Sequence, residues 1–144
     1  MTYALDSNTV SYIIRGEGGV DKHFRDDVIR DGNSYTITPV SIFELKRWLN
    51  DNPTKEMRSL SQKFDVLYQG VRGKANMTAD AWEKAAEIYI HLKQRGALIE
   101  EADILIAAYC IVNNYVLVTN NVRHFDRIDG LKYANWYSKT ITQP

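Results

Sequence analysis

Short apolar runs, polar junctions and helical stripes follow one another along the chain in a repeated order. Tyr3-Ala4-Leu5 is apolar and halts at Asp6; the polar group Ser7-Asn8-Thr9 follows, and Val10, Ile13 and Ile14 then recur at helical spacing. This predicts a strand, a carboxylate and a helix, in that order. Val20, Phe24, Val28 and Ile29 mark a second helical face, which Gly32 and Asn33 terminate. Tyr35 to Val40 is rich in residues suited to a pleated surface and predicts a second strand, with Pro39 removing one ladder donor near its end. Ser41-Ile42-Phe43-Glu44 opens a helix that runs through Leu45, Trp48 and Leu49 and ends at Asn52-Pro53.

Two longer helical patterns occupy the middle of the chain. One carries Met57, Leu60, Phe64 and Leu67; the other carries Trp82, Ala85, Ile88, Tyr89 and Leu92 and stops at Gly96. Residues 70–77 between them read as a loop. Asp103 precedes the run from Ile104 to Val112, apolar all round, which predicts a helix buried in the core. Tyr115 to Thr119 is the clearest strand pattern, and Leu131 to Trp136 predicts a last one. Strands that alternate with helices favour a central, mainly parallel sheet flanked by helices, because parallel neighbours need crossover connections. The expected fold is a single α/β domain over residues 1–144, with no Pro, Gly or Ser-rich linker to divide it.

Composition narrows the chemistry. With 144 residues, 44% hydrophobic and 25% charged, the chain suits one packed core, and eighteen basic against eighteen acidic side chains leave no net field for a polyanion or an anionic membrane. Any nucleic-acid contact must therefore use a local patch. The single Cys110 forms no internal disulfide, and three scattered histidines offer no zinc-ligand pair, so a bound metal would be held by oxygen. The N-terminus lacks the layout of a secretory signal, and the longest apolar run is too short for a span of about 20 residues. A soluble, cytoplasmic protein with no membrane partner is expected.

Three carboxylates fall where strands hand over to helices: Asp6 after the first strand, Glu44 in the first turn after the second, and Asp103 at the head of the buried helix. Thr119-Asn120-Asn121 follows the clearest strand. Open parallel sheets bind ligands beyond the carboxyl ends of their strands. Crowded carboxylates repel one another unless a cation joins them, and Mg²⁺, or Mn²⁺ as a substitute, suits oxygen ligands while keeping several waters. Such a cation eases deprotonation of its water and offsets charge on phosphate oxygens, which points to phosphodiester hydrolysis.

Each residue also has a local explanation. Ser41 to Glu44 fits a capping box, Asp103 a favourable charge at a helix start, Asp6 a cap, and Asn120-Asn121 a turn. Other catalytic patterns fail: Gly16, Gly18 and Gly19 follow a helix and lack the Lys-Ser or Lys-Thr of a phosphate loop, no serine sits in a nucleophile elbow, and Cys110 lies within the apolar helix.

Taken in order, these pieces resemble the PIN-domain ribonucleases, specifically the VapC-type toxins of toxin–antitoxin pairs. The resemblance runs from Tyr3 to about Trp136. Leu5-Asp6-Ser7-Asn8 is similar to the family's opening Asp-Thr-Asn, and Glu44-Leu45 to its second acidic position. Asp103 with Ile106-Ala107-Ala108 is similar to the central aspartate and its buried helix, with Arg95-Gly96 upstream. Leu117-Val118-Thr119-Asn120-Asn121, followed by His124-Phe125, is similar to the strand carrying the fourth active-site position, here Asn121. Two departures stand out: Lys46-Arg47-Trp48 replaces a glycine common after the second acidic motif, and the amide at Asn121 leaves three formal negative charges.

The resemblance implies a Mg²⁺-dependent endoribonuclease, with Asp6, Asp103, Glu44 and Asn121 around the metal and Thr119 orienting the site. It implies single-stranded or looped RNA as substrate, a cognate antitoxin across the active site, and a homodimer. Arg15, Lys46, Arg47, Arg123 and Arg127 flank the acidic junctions as candidate phosphate contacts. Asp126, Asp129 and Glu101 read as solvated surface. A non-catalytic PIN-like module that binds RNA or protein is the competing expectation.

Overall fold

Strand β1 (Thr2–Leu5) lies inside a four-stranded sheet of order β2-β1-β3-β4, with β2 at Ser34–Ile37, β3 at Val116–Val118 and β4 at Lys132–Ala134. Every pairing is parallel, and Leu5 stands opposite Ile37 on one side and Val118 on the other. This is a computed structural model that describes residues 1–71 and 76–138. The helices are α1 (Ser7–Arg15), α2 (Val20–His23), α3 (Pro39–Asp51), α4 (Lys55–Gln69), α5 (Ala79–Gln94), α6 (Glu101–Asn113) and α7 (Val122–Phe125). A π-helical stretch, Phe24–Arg30, continues α2 without a break.

Because successive strand residues point to opposite faces, each buried strand must be apolar on both. Leu5 and Val118 enter the core on one face, with Val10, Ile14, Phe24, Ile37, Leu45, Phe64 and Trp136. Their neighbours Ala4 and Leu117 enter the other, with Ala85, Ile88, Leu92, Ile104, Ala107 and Phe125. Helix α6 is buried along most of its length, as its all-round apolar sequence requires.

The second strand departs from the expected Tyr35–Val40. It ends at Ile37, and Pro39 opens α3 at its first helical position, where a missing N–H is harmless and the ring's fixed φ is already helical. Ser41 therefore lies inside the helix, and Glu44 in its second turn rather than its first. The second helical face also differs: Val20, Phe24 and Val28 are buried, but Ile29 is 61% exposed, since a π-helical stretch turns more slowly than a 3.6-residue period assumes. Trp82 and Tyr89 are likewise exposed on α5. Of the expected 70–77 loop, residues 72–75 lie outside the described residues; Gly70 caps α4, and the Thr78 side chain caps α5 by accepting from Ala81 N–H at 3.2 Å.

Candidate active site

All strands point the same way, so their carboxyl ends share one edge of the sheet. The ladder continues one residue past the strands there: Asp6 N–H donates to the Val118 carbonyl at 3.4 Å, Thr38 N–H to Leu5 at 3.2 Å and Thr119 N–H to Ala134 at 3.0 Å. Asp6, Thr38 and Thr119 are thereby set in a row by backbone hydrogen bonds. Each is buried, and each precedes a turn into a helix or loop.

Asp6 caps α1, its Oδ1 accepting from Thr9 N–H at 2.9 Å. The Thr9 hydroxyl has one proton and gives it to the Val118 carbonyl at 2.9 Å, tying α1 to β3. The neighbouring Thr119 hydroxyl also favours the charged form of the Asp6 carboxylate. Desolvation outweighs these bonds and holds the Asp6 carboxyl above its ordinary range, with the nearby Asp103 charge adding to the rise. Asp6 is thus a buried acid with an acidic neighbour. The local capping role is real, yet it does not relieve the charge.

Asp103 lies in the first turn of α6, whose N-cap position, Glu100, makes no side-chain capping bond. The Asp103 carboxylate turns outward to other elements. Its Oδ2 is 2.8 Å from His124 Nδ1 and 3.4 Å from the Asn121 side-chain nitrogen position, and that nitrogen position is itself 2.8 Å from His124 Nδ1. One ring nitrogen cannot donate to Asp103 and accept from an amide N–H at once. Donation to the carboxylate is the stronger bond, which puts the imidazole proton on Nδ1 and turns the Asn121 amide oxygen toward it. The Thr119 hydroxyl oxygen accepts from Asn121 N–H at 3.0 Å and so joins this cluster to Asp6.

Glu44, half-buried on α3, accepts from the Ser7 hydroxyl at 3.2 Å. It makes no capping bond to the start of its own helix; the Thr38 hydroxyl instead donates to Ser41 Oγ at 2.6 Å. The capping-box reading of Ser41 and Glu44 is therefore replaced. Asp6, Thr119, Asp103 and Asn121 form one connected group, and Glu44 approaches it through Ser7, the neighbour of Asp6. Among the described residues, no three Asp, Glu, His or Cys side chains form a ready ligand cage. The chemistry of the donors is that of two coupled carboxylates, which fits a hard cation that takes one or two carboxylates and keeps waters.

Two participants carried no assigned role in the sequence. His124 stood in the sequence only as part of the motif that follows the fourth site position, one helical turn beyond Asn121. Ser7 stood in the opening motif, at the position of the family's Thr, with no chemistry attached to it. Of the flanking bases, Arg15 pairs with Glu17 at 3.1 Å, Arg47 lies 5.2 Å from the Phe43 ring centre, and Arg127 donates to the Ala97 carbonyl at 3.4 Å. Arg123 is exposed, as are Glu101 and Asp126, while Asp129 lies 3.5 Å from His91 and 4.0 Å from Arg95. Burial pushes the Cys110 thiol well above its ordinary range, consistent with packing rather than nucleophilic chemistry.

A family model described as the PIN domain matches residues 3–131. The chain belongs to the PIN domain family. Among curated relatives, "Ribonuclease VapC1" of Methanocaldococcus jannaschii is 49% identical over 113 residues, covering 76% of this chain and 77% of that protein. "Ribonuclease VapC2" of Rickettsia felis is 28% identical over 137 residues, covering 94% and 98%. The crystal structure of VapBC2 from Rickettsia felis, bound to a DNA fragment from their promoter, superposes with a TM-score of 0.81 at 26% identity, over 94% of this chain and 99% of that one. The all-parallel sheet and its flanking helices are thus the PIN architecture, and Asp6, Thr119 and Asp103 all lie within the matched range. No helix among the described residues is long and apolar enough to cross a membrane.

Proposed function

We propose that this PIN domain is a divalent-cation-dependent endoribonuclease that hydrolyses RNA phosphodiester bonds, and the toxin of a type II toxin–antitoxin pair. The observation that carries the reading is the buried Asp6 coupled to Asp103 at the carboxyl edge of the sheet, in a chain whose relatives are named ribonucleases. Asp6 and Asp103 would hold Mg²⁺, or Mn²⁺ in its place, with the Asn121 carbonyl oxygen as a weaker donor. The cation supplies charge neutralisation on the phosphate oxygens and a more acidic water.

The protein's own groups do the rest. Glu44, held by Ser7, positions the attacking water and accepts its proton. The Thr119 hydroxyl orients both the Asp6 carboxylate and the Asn121 backbone N–H. His124 fixes the rotamer of Asp103, and the buried edge limits water around the carboxylates. A cognate antitoxin would cover this acidic edge, most simply by placing a basic side chain among the carboxylates. The relatives' solved form as VapBC assemblies supports such a partner. Two copies of the chain would pair through apolar residues left exposed on the early and middle helices, such as Ile29 and Val66.

The decisive test incubates purified protein with single-stranded RNA in Mg²⁺, with chelator, and as Asp103→Asn. Cleavage is expected only for the wild type with cation. Calorimetric titration with Mg²⁺ should show binding that Asp103→Asn weakens. Absence of both cleavage and millimolar Mg²⁺ binding would leave a non-catalytic RNA- or protein-binding module.

A further inference from the structure

Helix α1 presents Ser7, Ser11 and Arg15 at intervals of four, hence on one face, and α3 presents Glu44 and Trp48 one turn apart. These two stripes face each other across an open cleft of about 310 Å³. The cleft begins at the Ser7–Glu44 hydrogen bond, beside Asp6, and leads away from the acidic cluster. Its volume is at the small end of the roughly 300–1,000 Å³ of small-ligand clefts, enough for one nucleoside and too small for a duplex.

Trp48 is 37% exposed, and its side chain, among the described residues, makes no ring contact, cation–π contact or hydrogen bond. Its surroundings contrast with those of Trp136, which is buried against Tyr3 and aligned with His23. Arg15, across the cleft, pairs with Glu17 at 3.1 Å in the open, donates its Nε to the Ser11 carbonyl at a long 3.4 Å and lies 5.8 Å from the Tyr12 ring centre. Such pairs are weak, so a phosphate can take the guanidinium with little loss. An indole face, a guanidinium held only by weak exposed contacts and the Ser11 hydroxyl within one small cleft are the groups that hold an unpaired nucleotide: a surface for stacking, a charge for phosphate, and a donor for the sugar.

We infer that this cleft is a nucleotide subsite, in which Trp48 stacks on an unpaired base next to the scissile phosphate and Arg15 holds a neighbouring phosphate. The inference rests on the ribonuclease reading and gives it a substrate requirement. At least one nucleotide beside the cut must be unstacked from its neighbours to enter, so duplex RNA is excluded. Trp48 sets where the strand lies, while the carboxylates perform the cut.

The test measures binding of a fluorescently labelled single-stranded oligoribonucleotide in the Asp103→Asn background, where the strand stays whole. Trp48→Ala is expected to weaken binding about tenfold, the usual scale of one base–aromatic stack. Trp48→Phe, which keeps a stacking face, should stay within about twofold of the parent. Abasic substitution moved along the oligonucleotide should weaken the parent at one position adjacent to the cut and leave Trp48→Ala indifferent there. Equal affinity of Trp48→Ala and parent, or uniform loss at every abasic position, overturns the subsite. So does a change of oligomeric state by Trp48→Ala with unchanged RNA affinity, which would assign the ring to an interface between copies. Wild-type protein that cuts RNA while Trp48→Ala behaves like the parent sinks only the subsite. Wild-type protein that never cuts RNA with cation present sinks the ribonuclease reading beneath it.

Discussion

Asp6 concentrates the competing forces of the site in one residue. Its capping bond to Thr9 stabilises α1, yet burial and Asp103 raise its pKa above the ordinary 3.8. A raised carboxyl pKa means the folded chain binds the proton more tightly than the unfolded chain. Stability therefore falls as pH rises from the unfolded value through the folded one, and the deficit persists at neutral pH. Asp6→Asn keeps an oxygen for the Thr9 N–H and removes the charge. It is expected to raise the melting temperature of cation-free protein at pH 7 and to flatten its decline between mildly acidic and neutral pH, as followed by thermal denaturation. A lowered melting temperature at pH 7 would show that capping dominates. His124 acts through another residue: His124→Ala removes the 2.8 Å bond to Asp103 and should weaken Mg²⁺ affinity roughly 10- to 100-fold, the usual scale for a partner that orients a metal ligand. Calorimetric titration measures that change, and His124→Asn, which can still donate, should recover part of it.

At the scale of elements, helix α6 does two jobs. Its first turn presents Asp103, and its body fills the space between the sheet and α5, with Ala107 and Ala108 fully buried. Small residues there let the helix approach the strands closely. Ala107→Leu is expected to cost about 1–3 kcal/mol by overpacking and to lower the midpoint of urea denaturation. The buried nature of this helix was legible because a nine-residue apolar run has no polar face to expose. The start of α3 was less so. Pro39 reads equally as the end of a strand or the first residue of a helix, and only the sheet's end at Ile37 decides between them. That choice moved Glu44 by about a turn and removed its local capping partner. Val20, Phe24 and Val28 were correctly placed as core positions, but Ile29 was not, since nothing in four apolar letters distinguishes an α-helix from a π-helical stretch.

For the molecule as a whole, zero net charge and a compact acidic edge mean that RNA must be held by few basic groups. With two to four phosphate contacts, binding of a single strand should fall with a slope of about −1.4 to −2.8 in log affinity against log salt. Fluorescence anisotropy of Asp103→Asn with labelled RNA over a salt series measures it. A much steeper slope would require a basic surface larger than Arg15, Lys46, Arg47 and Arg123 provide. Modest general affinity of this kind leaves selection to shape and to the reach of the strand into the edge of the sheet.

The alternation of apolar runs and helical stripes determined the strand–helix order, the parallel sheet and the acids that sit at junctions, because periodicity and chain direction are local properties. Which side chains meet is not local. Asp103 and His124 are 21 positions apart and Ser7 and Glu44 are 37, so their hydrogen bonds exist only after parallel strands bring the junctions to one edge. Burial of Asp6 has the same origin. The sequence supplied the charges; the tertiary structure decided how far each is removed from water and which partner offsets it.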